Sequence, residues 1–194
     1  MSDTVFRPTA EEIQDEIDYL RHRSKFRKRF WIILILLLLI IAGAVIALLQ
    51  YFPILKVKGD GMEPTLEEGQ IVLAIKGEDA GRGDMIAFRH KDQTLMKRII
   101  GLPGDMIFIR GDGTVLVNGE ELDEAYIEES SLGDCDLDFP YEVPKGKLFV
   151  MGDNRNNSSD SRTDIVGNIK REDIIGKAWL RIWPLSDFGV LKHQ

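Results

Sequence analysis

Cysteine is nearly missing from this chain of 194 residues, with Cys135 the only one. That excludes an intrachain disulfide framework and any metal site built from several cysteines, although a lone thiol does not fix the compartment. A basic excess is missing too. The chain carries 25 Lys and Arg against 32 Asp and Glu; residues 1–29 hold seven basic and six acidic side chains, leaving 18 and 26 for the remainder. Outside residues 21–29 nothing is basic enough to bind nucleic acid, so that class of partner is excluded. Beyond residue 50 there is no amphipathic helical stretch of useful length, and no internal repeat. Long apolar runs are scarce as well, since the chain has one.

That run is residues 30–49, 20 consecutive positions without a charge or a strongly polar side chain. As a helix it spans about 30 Å, the thickness of a bilayer's hydrocarbon core. Arg21, Arg23, Lys25, Arg27, Lys28 and Arg29 precede it with no acid among them. The positive-inside rule then predicts a cytoplasmic N-terminus and an extracellular remainder. A cleavable leader cut after Ala42-Gly43-Ala44 is the rival reading. The run exceeds the usual ~7–15 residue apolar region of such leaders and stays apolar past Ala44, which favours a permanent anchor. The basic cluster then needs only anionic lipid headgroups as its partner. Residues 9–20 read as a separate short helix, with Thr9 and Glu12 at capping-box spacing and Ile13, Ile17 and Leu20 on one face. That stripe suits the membrane surface or a docking partner. The division expected is 1–29 cytoplasmic, 30–49 transmembrane, and 50–194 as one extracellular domain.

Residues 50–194 are enough for a core of their own. Short β-type runs at 54–57, 71–75, 85–88, 95–100, 106–109, 115–117, 148–151, 174–176 and 179–183 alternate with turn signals. Asn118-Gly119 is the strongest of these, a two-residue hairpin signature. The domain is therefore expected to be mainly β, as two packed or barrel-like sheets. Residues 126–143 turn acidic and irregular and read as a solvated loop with Cys135 an incidental exposed thiol. Asp134-x-Asp136-x-Asp138 is not a calcium loop, because Phe139 stands where an EF-hand needs glycine and Lys145 where it needs glutamate. No metal and no cofactor is expected.

Three stretches carry the chemistry. Val57-Lys-Gly-Asp-Gly-Met-Glu-Pro-Thr-Leu66 holds a Gly59-Asp60-Gly61 turn suited to a sharp bend or a close approach, before Met62 and Pro64. Met96-Lys97-Arg98 lies inside an apolar β run, and alternation points one of the two basic side chains inward. An inward lysine is costly unless its pKa falls, and a neutral buried lysine is a general base. The other possibility is an edge-strand lysine that guards against aggregation. Gly152-Asp-Asn-Arg-Asn-Asn-Ser-Ser-Asp-Ser-Arg162 is dense in short hydrogen-bonding side chains, as a rigid polar loop or a flexible surface one. Asn156-x-Ser158 also matches a glycosylation sequon, which matters only in a pathway that glycosylates.

Together these stretches resemble the type I signal peptidases of Gram-positive bacteria, and the likeness runs over nearly all of residues 50–194. The first stretch is similar to the family's Gly-Asp-Ser-Met-x-Pro-Thr-Leu box, with Gly61 at the serine position. Arg82-Gly83-Asp84 with Phe88, Lys97 to Asp105, Val117-Asn118-Gly119 through Tyr126, and Phe149 to Arg162 resemble further boxes in family order. Both Arg-Gly-Asp triplets, 82–84 and 110–112, then read as turns rather than adhesion motifs. The resemblance implies a signal peptidase-like β-sheet or barrel domain on a single N-terminal transmembrane helix. It implies Lys97 as general base, Ser158 as the hydroxyl that orients it, and Asp153, Arg155, Asp160 and Arg162 as the supporting network. A peptide groove is implied along Asp60, Met62, Leu95 and Met96, for exported preproteins bound as an extended strand. With glycine for the nucleophile the expected protein is non-proteolytic, and family members lacking part of the dyad are associated with pilus assembly, so pilin subunits are the expected clients. The alternatives are an active signal peptidase whose serine has been replaced, or hydrolysis by a water that Lys97 activates.

Overall fold

The structure, a computed structural model, describes residues 10–77 and 79–191, without the side chains of 12, 13 and 16–26. It divides into two compact units, Met1–Leu48 and Leu49–Gln194. Most of α1 (Ala10–Tyr51), one uninterrupted helix, lies in the first. This corrects the expectation of a short helix followed by a separate span. No proline stands between Pro8 and Pro53, and the single glycine, Gly43, is tolerated, so nothing in the sequence stops the helix until Pro53 excludes the α conformation just before it. The capping pair Thr9 and Glu12 and the stripe Ile13, Ile17 and Leu20 lie outside the described residues or side chains. From Phe30 to Leu49 the large apolar side chains other than the half-buried Leu34 are exposed, most by half or more. The segment Arg27–Tyr51 is long and apolar enough to cross a membrane, which is what a membrane anchor requires.

The second unit is mainly antiparallel β. Its strands are β1 (Ile54–Lys56), β2 (Ile71–Ile75), β3 (Met85–His90), β4 (Gln93–Gly101), β5 (Met106–Ile109), β6 (Val115–Val117), β7 (Glu120–Glu121), β8 (Tyr141–Glu142), β9 (Lys147–Met151), β10 (Ile169–Lys170), β11 (Ile174–Trp183) and β12 (Gly189–Val190). An eight-stranded sheet runs β1-β2-β11-β3-β4-β9-β10 with β12 on β11, and a four-stranded sheet runs β7-β6-β5-β8. The two expected runs at 174–176 and 179–183 are one strand, irregular in register between Ala178 and Leu180 and again between Arg181 and Trp183. Bulges of this kind break the alternation from which the split was read. The four two-residue strands, β7, β8, β10 and β12, had no signal, because two residues have no period.

Turn chemistry follows the sequence closely. Asn118 (φ 56°) and Gly119 (φ 86°) both sit in the left-handed region, the geometry of a type I′ hairpin, and join β6 to β7. Both Arg-Gly-Asp triplets are turns: Asp84 N donates to Gly81 O, and Gly113 N to Arg110 O. Residues 126–143 are irregular as expected but not simply solvated. Leu132, Leu137, Phe139 and Tyr141 pack on the core cluster built from Ile100 of β4, from β5, β6 and β9, and from Val143, and Cys135 is half-buried. Alternate apolar side chains hold the segment down even though its acids face out.

The central strand β4 sets up the site. Met96 through Gly101 are all buried, with Met96, Ile99 and Ile100 each in a different core cluster. Both faces of β4 are covered here. Lys97 (6% exposed) and Arg98 (1%) are therefore both buried, where alternation over a half-buried strand placed only one of them inward.

Candidate active site

The polar loop 152–162 folds back on β4 and on the Asp60-Gly61 turn. Lys97 Nζ donates to Ser158 Oγ at 2.8 Å. Gly61 faces this pair: a Cβ built on it would stand 2.8 Å from Lys97 Nζ, 3.3 Å from Asn157 O and 3.6 Å from Ser158 Oγ. The turn is strapped to the loop by Asn154 N to Gly61 O (3.3 Å), Asn154 Nδ2 to Asp60 O (3.3 Å) and Asn157 Nδ2 to Asp60 Oδ2 (2.6 Å). Three residues far apart in sequence thus share one small space.

Burial depresses the Lys97 pKa below its ordinary value of 10.5, against the pull of the Asp160, Asp153 and Asp60 carboxylates, while the Arg162 charge lowers it further. A lowered pKa makes the uncharged amine, with its free lone pair, less costly to reach than in an exposed lysine. Asp160 shows the opposite balance. Burial pushes its carboxyl up, but the Arg162 guanidinium, the Gly152 N–H and the Lys97 charge together hold it below the usual carboxylate range.

The supporting residues are brought together, though with partners the sequence did not reveal. Asp160 and Arg162 pair with each other at 2.9 Å, both fully buried. Arg162 Nη1 also reaches Leu132 O at 2.6 Å and Arg155 O at 3.0 Å. Asp153 pairs not with a loop residue but with Arg98, through Nε at 2.9 Å and Nη2 at 2.6 Å, and also accepts from Thr65 Oγ1 at 2.5 Å. Arg155 is held by Glu124. The Tyr126 ring lies under Arg98, 3.9 Å from its guanidinium carbon. Burial raises the Tyr126 pKa, and its hydroxyl donates to Glu124 Oε1 at 2.7 Å. Arg98, Glu124, Tyr126, Thr65, Asn154 and Asn157 all lie within stretches that the sequence marked, but none was expected as a site residue. The apolar residues on both sides of the Lys97-Arg98 pair were the one local sign of a buried charge.

A narrow groove leads to Gly61. A cavity of about 40 Å³ is lined by Leu55–Lys58, Gly61, Met62 and Thr94–Lys97. Met62 and Met96 are buried beneath it and Leu95 is half-buried. Asp60 is not in the lining; its carboxylate turns to Asn157. The groove lies between two strands with unused edges. Among the described residues β1 pairs only with β2, and β4 gains its β9 partner only from Arg98 onward. An extended peptide laid there has hydrogen-bonding groups available on both sides.

A buried lysine fastened to a serine, on an antiparallel β domain that follows an apolar helix, defines a protein with a lysine-centred polar site. Residues 28–183 match the family model of signal peptidase, peptidase S26. The chain is 36% identical to signal peptidase IB of Staphylococcus aureus over 158 residues, covering 71% of this chain and 80% of that protein. It is likewise 36% identical to signal peptidase I U of Bacillus subtilis over 182 residues, covering 87% and 96%. A signal peptidase I structure from Enterococcus faecalis aligns at 33% identity with a TM-score of 0.42, covering 52% of this chain and 97% of that one. This chain belongs to the signal peptidase, peptidase S26, family.

Proposed function

We propose that this chain is a membrane-anchored signal peptidase I-like protein that holds exported polypeptides in its groove without cutting them, with pilin subunits as the specific clients. The N-terminus is cytoplasmic and the β domain extracellular, a reading supported by the basic residues before the apolar helix. The observation that carries the proposal is Gly61, which faces the Lys97–Ser158 pair with no hydroxyl of its own. In this reading Lys97 has the general-base position and Gly61 the nucleophile's. Loss of a serine nucleophile costs on the order of 10⁶ in kcat. The nearby hydroxyls are committed elsewhere, Thr65 to Asp153 and Ser158 to Lys97. The groove itself does not depend on the missing oxygen, so binding persists.

The retained Lys97–Ser158 pair favours one further expectation, that cleavage is recoverable. Purified full-length protein is expected to leave a preprotein with an Ala-x-Ala leader intact while co-purifying with its client. Gly61→Ser is expected to shed the leader, and Lys97→Ala in that background to abolish the gain. The readout is the shortened product on a gel, with its new N-terminus sequenced. Cleavage by the unaltered chain that Lys97→Ala abolishes would overturn the proposal in favour of a lysine-activated water.

A further inference from the structure

We propose that Lys97 is itself a covalent attachment site for an electrophilic carbonyl, which it captures from an extended small-residue peptide aldehyde as an imine. The inference rests on reading the groove as a peptide site and adds a second chemistry to it. A Cβ on residue 61 would lie 2.8 Å from Lys97 Nζ, closer than real Cβ contacts allow. The amine therefore stands in the room that a hydroxyl-bearing side chain would fill. Lys97 and Gly61 both line the groove, and no side chain at 61 comes between the amine and a carbonyl carried along it. Among the described residues the Ser158 hydroxyl is the hydrogen-bond partner of the amine, as acceptor of one N–H, and burial favours the uncharged form against the pull of Asp160, Asp153 and Asp60, with Arg162 acting in the same direction as burial.

The step balances without an oxidant or reductant. The nitrogen lone pair attacks the aldehyde carbon and the C=O π pair moves to oxygen. A proton passes from nitrogen to that oxygen to give a carbinolamine, which loses water to leave the imine. Gly61 has no positive φ, so a serine there needs the flexible lysine tip to withdraw and the Asn157 carbonyl, 3.3 Å from the added Cβ, to give by a few tenths of an ångström.

The test uses the full chain in detergent with a peptide aldehyde ending in Ala-x-Ala, trapped with cyanoborohydride and mapped by tandem mass spectrometry. At neutral pH, Lys97 is expected to carry severalfold more adduct than Lys56 or Lys58, because the groove holds the carbonyl against its amine and burial favours the uncharged form. Those two exposed lysines line the same groove and serve as internal controls. Gly61→Ser is expected to lower the Lys97 adduct severalfold, because the side chain displaces the amine. Even labelling of the three lysines, or a Lys97 adduct indifferent to Gly61→Ser, would overturn the inference. A matching peptide alcohol separates the two readings by fluorescence anisotropy. If the alcohol binds and the aldehyde leaves Lys97 unmodified, the covalent site is wrong and the groove stands; if neither binds, both are wrong.

Discussion

Arg98 is sealed from water and yet spends its whole guanidinium on partners: Asp153 through two nitrogens, Gly83 O at 2.8 Å, and the Tyr126 ring on its face. Removing one member of such a pair leaves the other charge buried and uncompensated, at about 3–5 kcal/mol. Asp153→Ala is accordingly expected to lower the unfolding free energy in urea melts by that amount, through a lower midpoint at an unchanged m-value, and to free the Thr65 hydroxyl. Lys97 carries the opposite sign. Its folded pKa lies below the ordinary 10.5, so folding at neutral pH must bury or neutralise an amine that the unfolded chain keeps charged. The penalty is fully present below the folded pKa and disappears as pH rises towards the unfolded value. Lys97→Met is therefore expected to raise Tm at neutral pH, with the gain shrinking as the pH approaches 10.5 in a calorimetric series. A Tm gain that does not vary with pH would contradict this account. Asp160 follows the reverse rule, because its folded pKa is depressed: its contribution is present above the unfolded carboxyl value and is lost as pH falls through the folded one.

The element on which the others turn is β4. Where it ends, the two sheets meet, and Gly101 is the point of contact. A Cβ there would stand 2.9 Å from both Ile107 Cδ1 and Val143 Cγ2, and 3.1 Å from Phe149 Cβ. All three neighbours belong to the cluster that joins β5 and β9. Overpacking of this kind costs about 1–3 kcal/mol, so Gly101→Ala is expected to destabilise by that amount in denaturant melts. Its effect on the Lys97–Ser158 pair is expected to be small, because the strain falls on the far end of the strand. The elements themselves were legible where local physics decides them: strands at 71–75, 106–109 and 115–117 fall where the apolar runs predict, and Asn118-Gly119 turns where its φ values allow. The covered second face of β4 was not legible. Strand alternation reports one buried face, and whether the other is buried depends on which segment later in the chain lies across it.

At the scale of the whole molecule, the chain is an apolar helix that leaves its side chains uncovered and a β domain with its own core. A row of uncovered Leu and Ile this long is stable against water only in lipid or detergent. The full chain is expected to stay in the membrane pellet after alkaline carbonate extraction, and removal of residues 28–49 to release it; recovery of the intact chain in the wash would contradict a spanning anchor.

The amino-acid order alone determined that helix, most of the strands and the hairpin turn, because each is decided by neighbours a few positions away. It also supplied the family likeness, through short boxes in sequence. Only the tertiary structure decided that Arg98 takes Asp153, that Glu124 takes Arg155, and that the amine of Lys97 fills the space beside Gly61. Charges distant along the chain choose among several equally suitable partners, and the choice is made by which backbones the packed sheets bring within hydrogen-bond reach.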